Sequence, residues 1–306
     1  MGRWAEASGR TALITGAGGG IGAATAQRLS ADGWQVALLD INVAGAEAVA
    51  RSCGPGVAAF AADITDYESI ESAVARVVEL FGGIDLVFAN AGIATEGSLR
   101  HTDPAVFAVQ VDVNLTGTFR TVKACLPHLL ESSGYLLINA SASAIAAPPG
   151  LGAYGSSKAG VEALGDTLRR ELRHLGVDVG VVYLLFVGTD MVEGAEAHGR
   201  VFNAVRSNMT GPLANVIPVE KAVDAIIKGI RRRSRRVVSP RFVGSIYRVR
   251  GLAPALFERD MVKMAPEIDE ATLADQAAQG ALAAAVRSDT PATAAATDAV
   301  KERSEP

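Results

Sequence analysis

Short apolar runs alternate with segments whose apolar residues recur every three or four positions, from residue 11 to residue 232. The runs at 11–15, 34–40, 57–61, 85–89, 134–140 and 177–185 read as strands, being brief and bounded by Gly, Asp or Asn. Between them, helical spacing predicts helices over 21–32, 44–52, 67–81 and 105–130, a helix carrying residues 154 and 158, and another over 219–232. In the third of these Ile70, Val74, Val77, Val78 and Phe81 fall on one stripe. Regular strand–helix alternation builds βαβ units, so the expected fold is α/β: a single Rossmann-type, doubly wound parallel sheet with helices on both faces, over 1–240. Beyond it, an apolar stretch to Phe257 is broken by Arg248 and Arg250 and is too short to span a bilayer. A helical extension over 241–280 that covers the substrate site is expected there. From residue 281 the chain is Ala, Thr, Asp and Ser with almost no large apolar residue, which reads as a disordered tail.

Composition narrows the function classes. Hydrophobic residues make up 49% of the 306, charged residues 20%, and the net charge is −4, so nothing global argues for nucleic acid. Cys53 and Cys125 are far apart and read as ordinary thiols of a reducing compartment. The polar opening, 1–10, carries no secretory signal, so a cytoplasmic protein is expected. His101, His128, His174 and His198 lack metal-ligand spacing, and no metal is expected. Arg231, Arg232, Arg233, Arg235 and Arg236 form one dense basic run. It reads first as cations at a helix C-terminus, and second as a contact for acidic lipid.

Two motifs carry chemistry. Thr15-Gly-Ala-Gly-Gly-Gly-Ile-Gly22 lies between the first strand and the first helix. Its Gly16, Gly20 and Gly22 let backbone approach a pyrophosphate, and the helix end near Ile21 offers N–H donors and a positive dipole. Asp40 ends the second strand, where a carboxylate can accept hydrogen bonds from the adenosine ribose or cap the next helix. It would repel a 2′-phosphate, so NAD is expected rather than NADP. Tyr154 and Lys158, at i and i+4, share a helix face. An adjacent ammonium lowers a phenol's pKa from ~10 towards the working range of an acid–base catalyst.

Together with Ser141 upstream of Tyr154, and in the same order, these motifs resemble the short-chain dehydrogenase/reductase family, from about Gly9 to about Arg236. The resemblance implies an NAD(P)-dependent oxidoreductase with a catalytic set of Asn114, Ser141, Tyr154 and Lys158. Tyr154 would exchange the alcohol proton and Ser141 would orient the substrate oxygen. Lys158 would tune the phenol and hold the nicotinamide ribose, and Asn114 would prop a water leading to Lys158. Ser143 stands beside Ser141 at the wrong interval. The family pattern also assigns Asp63 and Ile64 to the adenine, Asn90, Ala91 and Gly92 to the cofactor groove, and Val187 and Thr189 to the carboxamide.

The chain departs from that pattern at Leu184 and Leu185, where Pro-Gly is usual, and in a different C-terminal segment. A homotetramer is therefore less expected than a homodimer through the long helices. A lid over 190–216 faces a wall at 148–152, with Ile145, Pro149, Leu151, Leu185, Phe186, Met191 and Val192 as apolar lining. These imply a dehydrogenase of hydrophobic secondary alcohols, or a reductase of the matching ketones. The alternatives are an NADPH-dependent 3-oxoacyl-thioester reductase and a non-catalytic NAD-binding sensor.

Overall fold

A computed structural model describes residues 9–279 of the chain. Seven parallel strands form one sheet: β1 (Thr11–Thr15), β2 (Gln35–Asp40), β3 (Val57–Ala61), β4 (Leu86–Ala89), β5 (Tyr135–Asn139), β6 (Asp178–Leu184) and β7 (Arg236–Ser239), in the order β3-β2-β1-β4-β5-β6-β7. Strand order reverses between β1 and β4, where Ala12, Leu13 and Ile14 pair with Leu86, Val87 and Phe88. Connections leave in opposite directions there, so a crevice opens beyond the strands' C-terminal ends.

Helices α1 (Gly20–Ala31), α2 (Val43–Cys53) and α9 (Val219–Arg232) cover one face. Leu29, Ile226 and Ile230 pack there on Ile14, Leu38 and Phe88. The other face carries α3 (Tyr67–Phe81), α4 (Pro104–Val111), α5 (Gly117–Glu131) and α6 (Gly152–Leu172). Ile70, Val77, Leu129 and Val161 meet Leu13, Val87 and Leu136 on that side. Side chains alternate between faces along each strand, so both cores draw on the same short apolar runs.

The helix expected over 105–130 is interrupted. A turn of π-helix, Asp112–Thr116, separates α4 from α5 and carries the buried Asn114. An extra backbone residue in the turn re-aims a side chain, which is why such bulges gather at functional sites.

After β6 come α7 (Asp190–His198) and α8 (Arg200–Asn208), within the segment expected as a lid. After β7 come α10 (Val243–Arg248) and α11 (Ala253–Gln279). Met264 and Ile268 of α11 form a small core with Val201, Ala204 and Val205 of α8. The tail expected from residue 281 lies outside the described residues.

The arginine run fastens elements to one another. Arg231 pairs with Asp32 at 2.7 Å, Arg233 with Asp178 at 3.4 Å, and Arg235 and Arg236 with Asp166 at 3.4 and 3.2 Å. This fits the helix-terminus reading better than a lipid-binding face. Among the described residues no helix is long and apolar enough to cross a membrane.

Candidate active site

The glycine turn is built from close approaches. Gly16 and Gly20 take φ of 64° and 52°, in the left-handed region that side chains disfavour. A Cβ at Gly22 would stand 2.2 Å from the Gly16 carbonyl oxygen, so Gly22 lets α1 press against the turn rather than lining a cavity. The α1 N-cap, Gly19, contributes no side chain, and no acidic residue sits in the first turn. The free N–H groups of that end therefore await an anion. Gly18, Gly19, Gly20 and Ile21 line a cavity of about 500 Å³ along the crevice.

Asp40 lines the same cavity, accepting Gly18 N through Oδ2 and Asn42 N through Oδ1, each at 2.8 Å. The cap of α2 is Asn42, whose Oδ1 accepts Gly45 N at 3.2 Å, so Asp40 is not the helix cap. A carboxylate offers about four acceptor positions, and two remain for a ligand. The one basic residue lining this cavity is Lys158. Asp63 and Ile64 line it too, Asp63 being held by Thr65 N and Thr65 Oγ1 at 2.8 and 2.7 Å. Asn90, Ala91 and Gly92 form the opposite wall. Asn90 locks the turn by donating from Nδ2 to the carbonyls of Thr15 and Gly16, both at 3.1 Å.

The catalytic candidates converge at the inner end. Lys158 is 4% exposed and donates from Nζ to the Asn139 carbonyl at 2.8 Å. Its ammonium lies 5.7 Å from the Tyr154 ring centroid. Burial without a carboxylate partner pushes the Lys158 pKa down to about 8. Burial also pushes the Tyr154 phenol up, opposed by its hydrogen bond with Ser141. Lys158 is expected to lower the phenol pKa with help from the charge of an oxidised nicotinamide; in the protein by itself burial acts the other way and is the larger influence. Ser141 Oγ accepts Ser143 N at 3.1 Å, so the neighbouring serine orients Ser141 through its backbone.

Asn114 holds this end together. It accepts Ile93 N through Oδ1 at 2.9 Å and donates from Nδ2 to Ile93 O and Ser157 Oγ, both at 3.0 Å. Its own carbonyl accepts Thr118 Oγ1 at 2.6 Å, and carbonyl oxygen has a second lone pair. A Cβ on Gly92 would lie 2.9 Å from Asn114 Oδ1 and 3.3 Å from Lys158 Nζ, so glycine leaves the room.

The depressed Lys158 pKa makes a stability prediction. The unfolded chain binds this proton up to about 10.4, the folded protein only up to about 8. Stability from this group therefore rises with pH between those values, and below about 8 the cost of the buried charge is complete. Lys158→Met should raise the melting temperature at pH 7, with the difference from wild type shrinking towards pH 10. Parallel melting curves at all pH values would refute this.

A second cavity, of about 530 Å³, adjoins the first. Ile21, Asn139, Tyr154, Thr189 and Met191 line both. Ser141 lines only the second and Lys158 only the first, so Tyr154 stands at the junction. Ile145, Leu151, Leu185, Phe186, Met191 and Val192 line the second cavity as the sequence suggested. Pro149 does not; Pro148 takes that place, because the Gly150 turn reverses the chain there. Val187 faces this cavity rather than the first. Sequence reasoning missed Met209, Met261, Met264 and Glu96, which also line it. No local pattern signals Met261 and Met264, which a distant helix brings in. Among the described residues no group of three or more His, Cys, Asp or Glu could hold a metal.

A sheet with its crevice at the β1/β4 switch, an uncapped glycine-turn helix and a Ser-Tyr-Lys cluster define a dinucleotide-binding oxidoreductase architecture. Residues 10–199 match the model of the short chain dehydrogenase family, and the chain belongs to that family. It is 34% identical, over 203 residues, to an uncharacterized NAD-dependent oxidoreductase of Mycobacterium tuberculosis, covering 60% of this chain and 74% of that one. It is also 34% identical, over 193 residues, to a 2,5-dichloro-2,5-cyclohexadiene-1,4-diol dehydrogenase of Sphingobium indicum, covering 62% and 77%. A short chain dehydrogenase/reductase from Burkholderia phymatum, solved in complex with NAD, superposes with a TM-score of 0.70 at 23% identity. That superposition covers 81% of this chain and 93% of the other, and supports the fold.

Proposed function

We propose that this oxidoreductase interconverts hydrophobic secondary alcohols and ketones, with NAD as cofactor. The observation that carries the reading is the position of Tyr154 between two cavities, Lys158 on one side and Ser141 on the other. The first cavity fits NAD in its donor set. Gly16, Gly20 and the α1 end would hold the pyrophosphate, and Asp40 the adenosine ribose. Asp63 and Ile64 would border the adenine, Asn90, Ala91 and Gly92 the groove, and Thr189 the carboxamide end, Val187 facing the second cavity instead. A 2′-phosphate would meet Asp40 with no arginine among the lining residues to neutralise it. The printed name of the Mycobacterium relative supports the same cofactor.

NAD held by these residues would supply the hydride acceptor for the carbinol carbon, and NADH the hydride donor for the carbonyl. Ser141 Oγ donates a hydrogen bond to the substrate oxygen and fixes it beside Tyr154. In oxidation the Tyr154 phenolate takes the hydroxyl proton; in reduction the phenol returns it to the oxygen. Lys158 favours the phenolate by its charge and holds the cofactor ribose. Asn114 keeps the Ile93 backbone and Ser157 in place behind it. The cyclic diol in the Sphingobium relative's name accords with an apolar cavity for alicyclic alcohols.

Formation of NADH from a panel of cyclic and aryl secondary alcohols tests the reading, with NADP in parallel. Turnover with NAD is expected to exceed that with NADP by about tenfold or more, one unfavourable charge contact. Turnover of polar polyols alone, or NAD binding without turnover of anything, would overturn it.

A further inference from the structure

The chain contains five methionines, and four of them, Met191, Met209, Met261 and Met264, line the second cavity. They come from separate elements. Met191 lies on α7, Met209 just beyond α8, and Met261 and Met264 on α11, about fifty residues further on. Met264 also belongs to the small core with Val201 and Ile268, and Met209 packs against it, yet all four reach the second cavity while the two main cores contain no methionine. The cavity's remaining apolar wall includes Phe186 and Phe202, whose rings meet edge to face at 5.2 Å.

The appended helix is held firmly enough to present these side chains. Thr272 Oγ1 accepts Ser98 N at 3.0 Å, and Gln276 donates to His101 O at 2.9 Å, tying α11 to the loop after β4. On the other side Asn208 donates to Glu267 at 2.8 Å, and Ile268, fully buried, packs on Val201 and Val205 of α8. Gly150 marks how close this packing is: a Cβ there would lie 2.8 Å from Val201 and 3.1 Å from Ile268. The helix thus bridges both walls of the cavity, and it is anchored while Met261 and Met264 line the space between them.

Methionine differs from leucine at equal volume in two ways. Its unbranched chain has three rotatable bonds, so it shapes itself to different outlines. Its polarizable sulfur also makes favourable contacts with aromatic ring edges. We propose that the four methionines form an adaptable thioether wall that selects substrates whose carbonyl or carbinol carbon is attached to a bulky, aromatic-ring-bearing group. Met261 and Met264, supplied by α11, are specificity-determining residues. This deepens the alcohol–ketone reading above and rests on it for the location of the reacting carbon.

The test compares ketones of similar outline, 2-tetralone with its aromatic ring and the saturated 2-decalone. Calorimetry on the full chain loaded with NAD measures binding without turnover. Wild type should bind 2-tetralone about three- to tenfold more tightly than 2-decalone, the range one or two thioether–ring contacts provide. The double variant Met261→Leu/Met264→Leu conserves volume, which cores tolerate well, and NAD affinity reports that it is folded. In it the two ketones should bind equally, with 2-tetralone weakened and 2-decalone within about twofold of wild type. An unchanged preference in the variant, no preference in wild type, or no binding of either ketone would overturn the proposal. Oxidation of the corresponding alcohols is followed separately. Ketones that bind with the expected preference while no alcohol is oxidised would sink the catalytic reading and leave the thioether wall standing.

Discussion

Replacing Tyr154 by phenylalanine should lower kcat/KM for a secondary alcohol by about 10²- to 10⁴-fold, the range a positioned general acid–base supplies. The change removes one oxygen and nothing else. The ring stays beside Lys158, so the 5.7 Å ammonium–ring contact persists, and Lys158 keeps its bond to the Asn139 carbonyl. Ser141 keeps the amide of Ser143. What disappears is the phenol oxygen proposed to take or return the proton at the meeting point of the two cavities. NAD affinity, measured by titration, should move by less than about twofold, since the phenol makes no bond that shapes the glycine turn or Asp40. The loss should therefore reside in kcat. A variant with near-normal turnover would assign the proton transfer to another group.

Gly22→Ala should weaken NAD binding by about a hundredfold, the penalty of misplacing a positioned group by roughly 1 Å. The added methyl would sit 2.2 Å from the Gly16 carbonyl oxygen and 2.9 Å from Asn90 Nδ2. Neither can yield alone. Gly16 is pressed against the Ala91 backbone, where a Cβ would find Cα at 2.7 Å, and Asn90 is tied to Thr15, Gly16 and Asn139. Relief requires α1 to withdraw, and with it the N–H groups that would face a pyrophosphate. Gly194→Ala is the matched control: nothing lies within 4 Å of its added Cβ, and NAD binding should be unchanged. Equal affinity in both variants would separate the turn from cofactor binding.

Much of the scaffold was legible because its signals are local. Six strands and the doubly wound alternation followed from short apolar runs between helical stripes, since strand and helix periods differ. Tyr154 and Lys158 were legible as a pair for the same reason, i and i+4 meeting on one face. The break at Asp112–Thr116 was not. A π-turn leaves the apolar spacing nearly intact, and only the bonds of Asn114 to Ile93 and Ser157 reveal why it is there. The burial of Tyr154, which raises its pKa in the protein by itself, was not legible either, because burial cannot be read from spacing.

By itself, then, the amino-acid sequence determined the layered sheet, the glycine turn and the pairing of Tyr154 with Lys158 on one helix face. Each depends on residues within a few positions of one another. Tertiary packing alone decided that Tyr154 joins two cavities and that Pro148 rather than Pro149 lines one of them. It also decided that α11 brings Met261 and Met264 to a site built mostly from residues 139–213. Those placements depend on how distant elements bury their apolar faces against each other. Hydrophobic contact is non-directional, so no short-range pattern encodes which partner a face will meet.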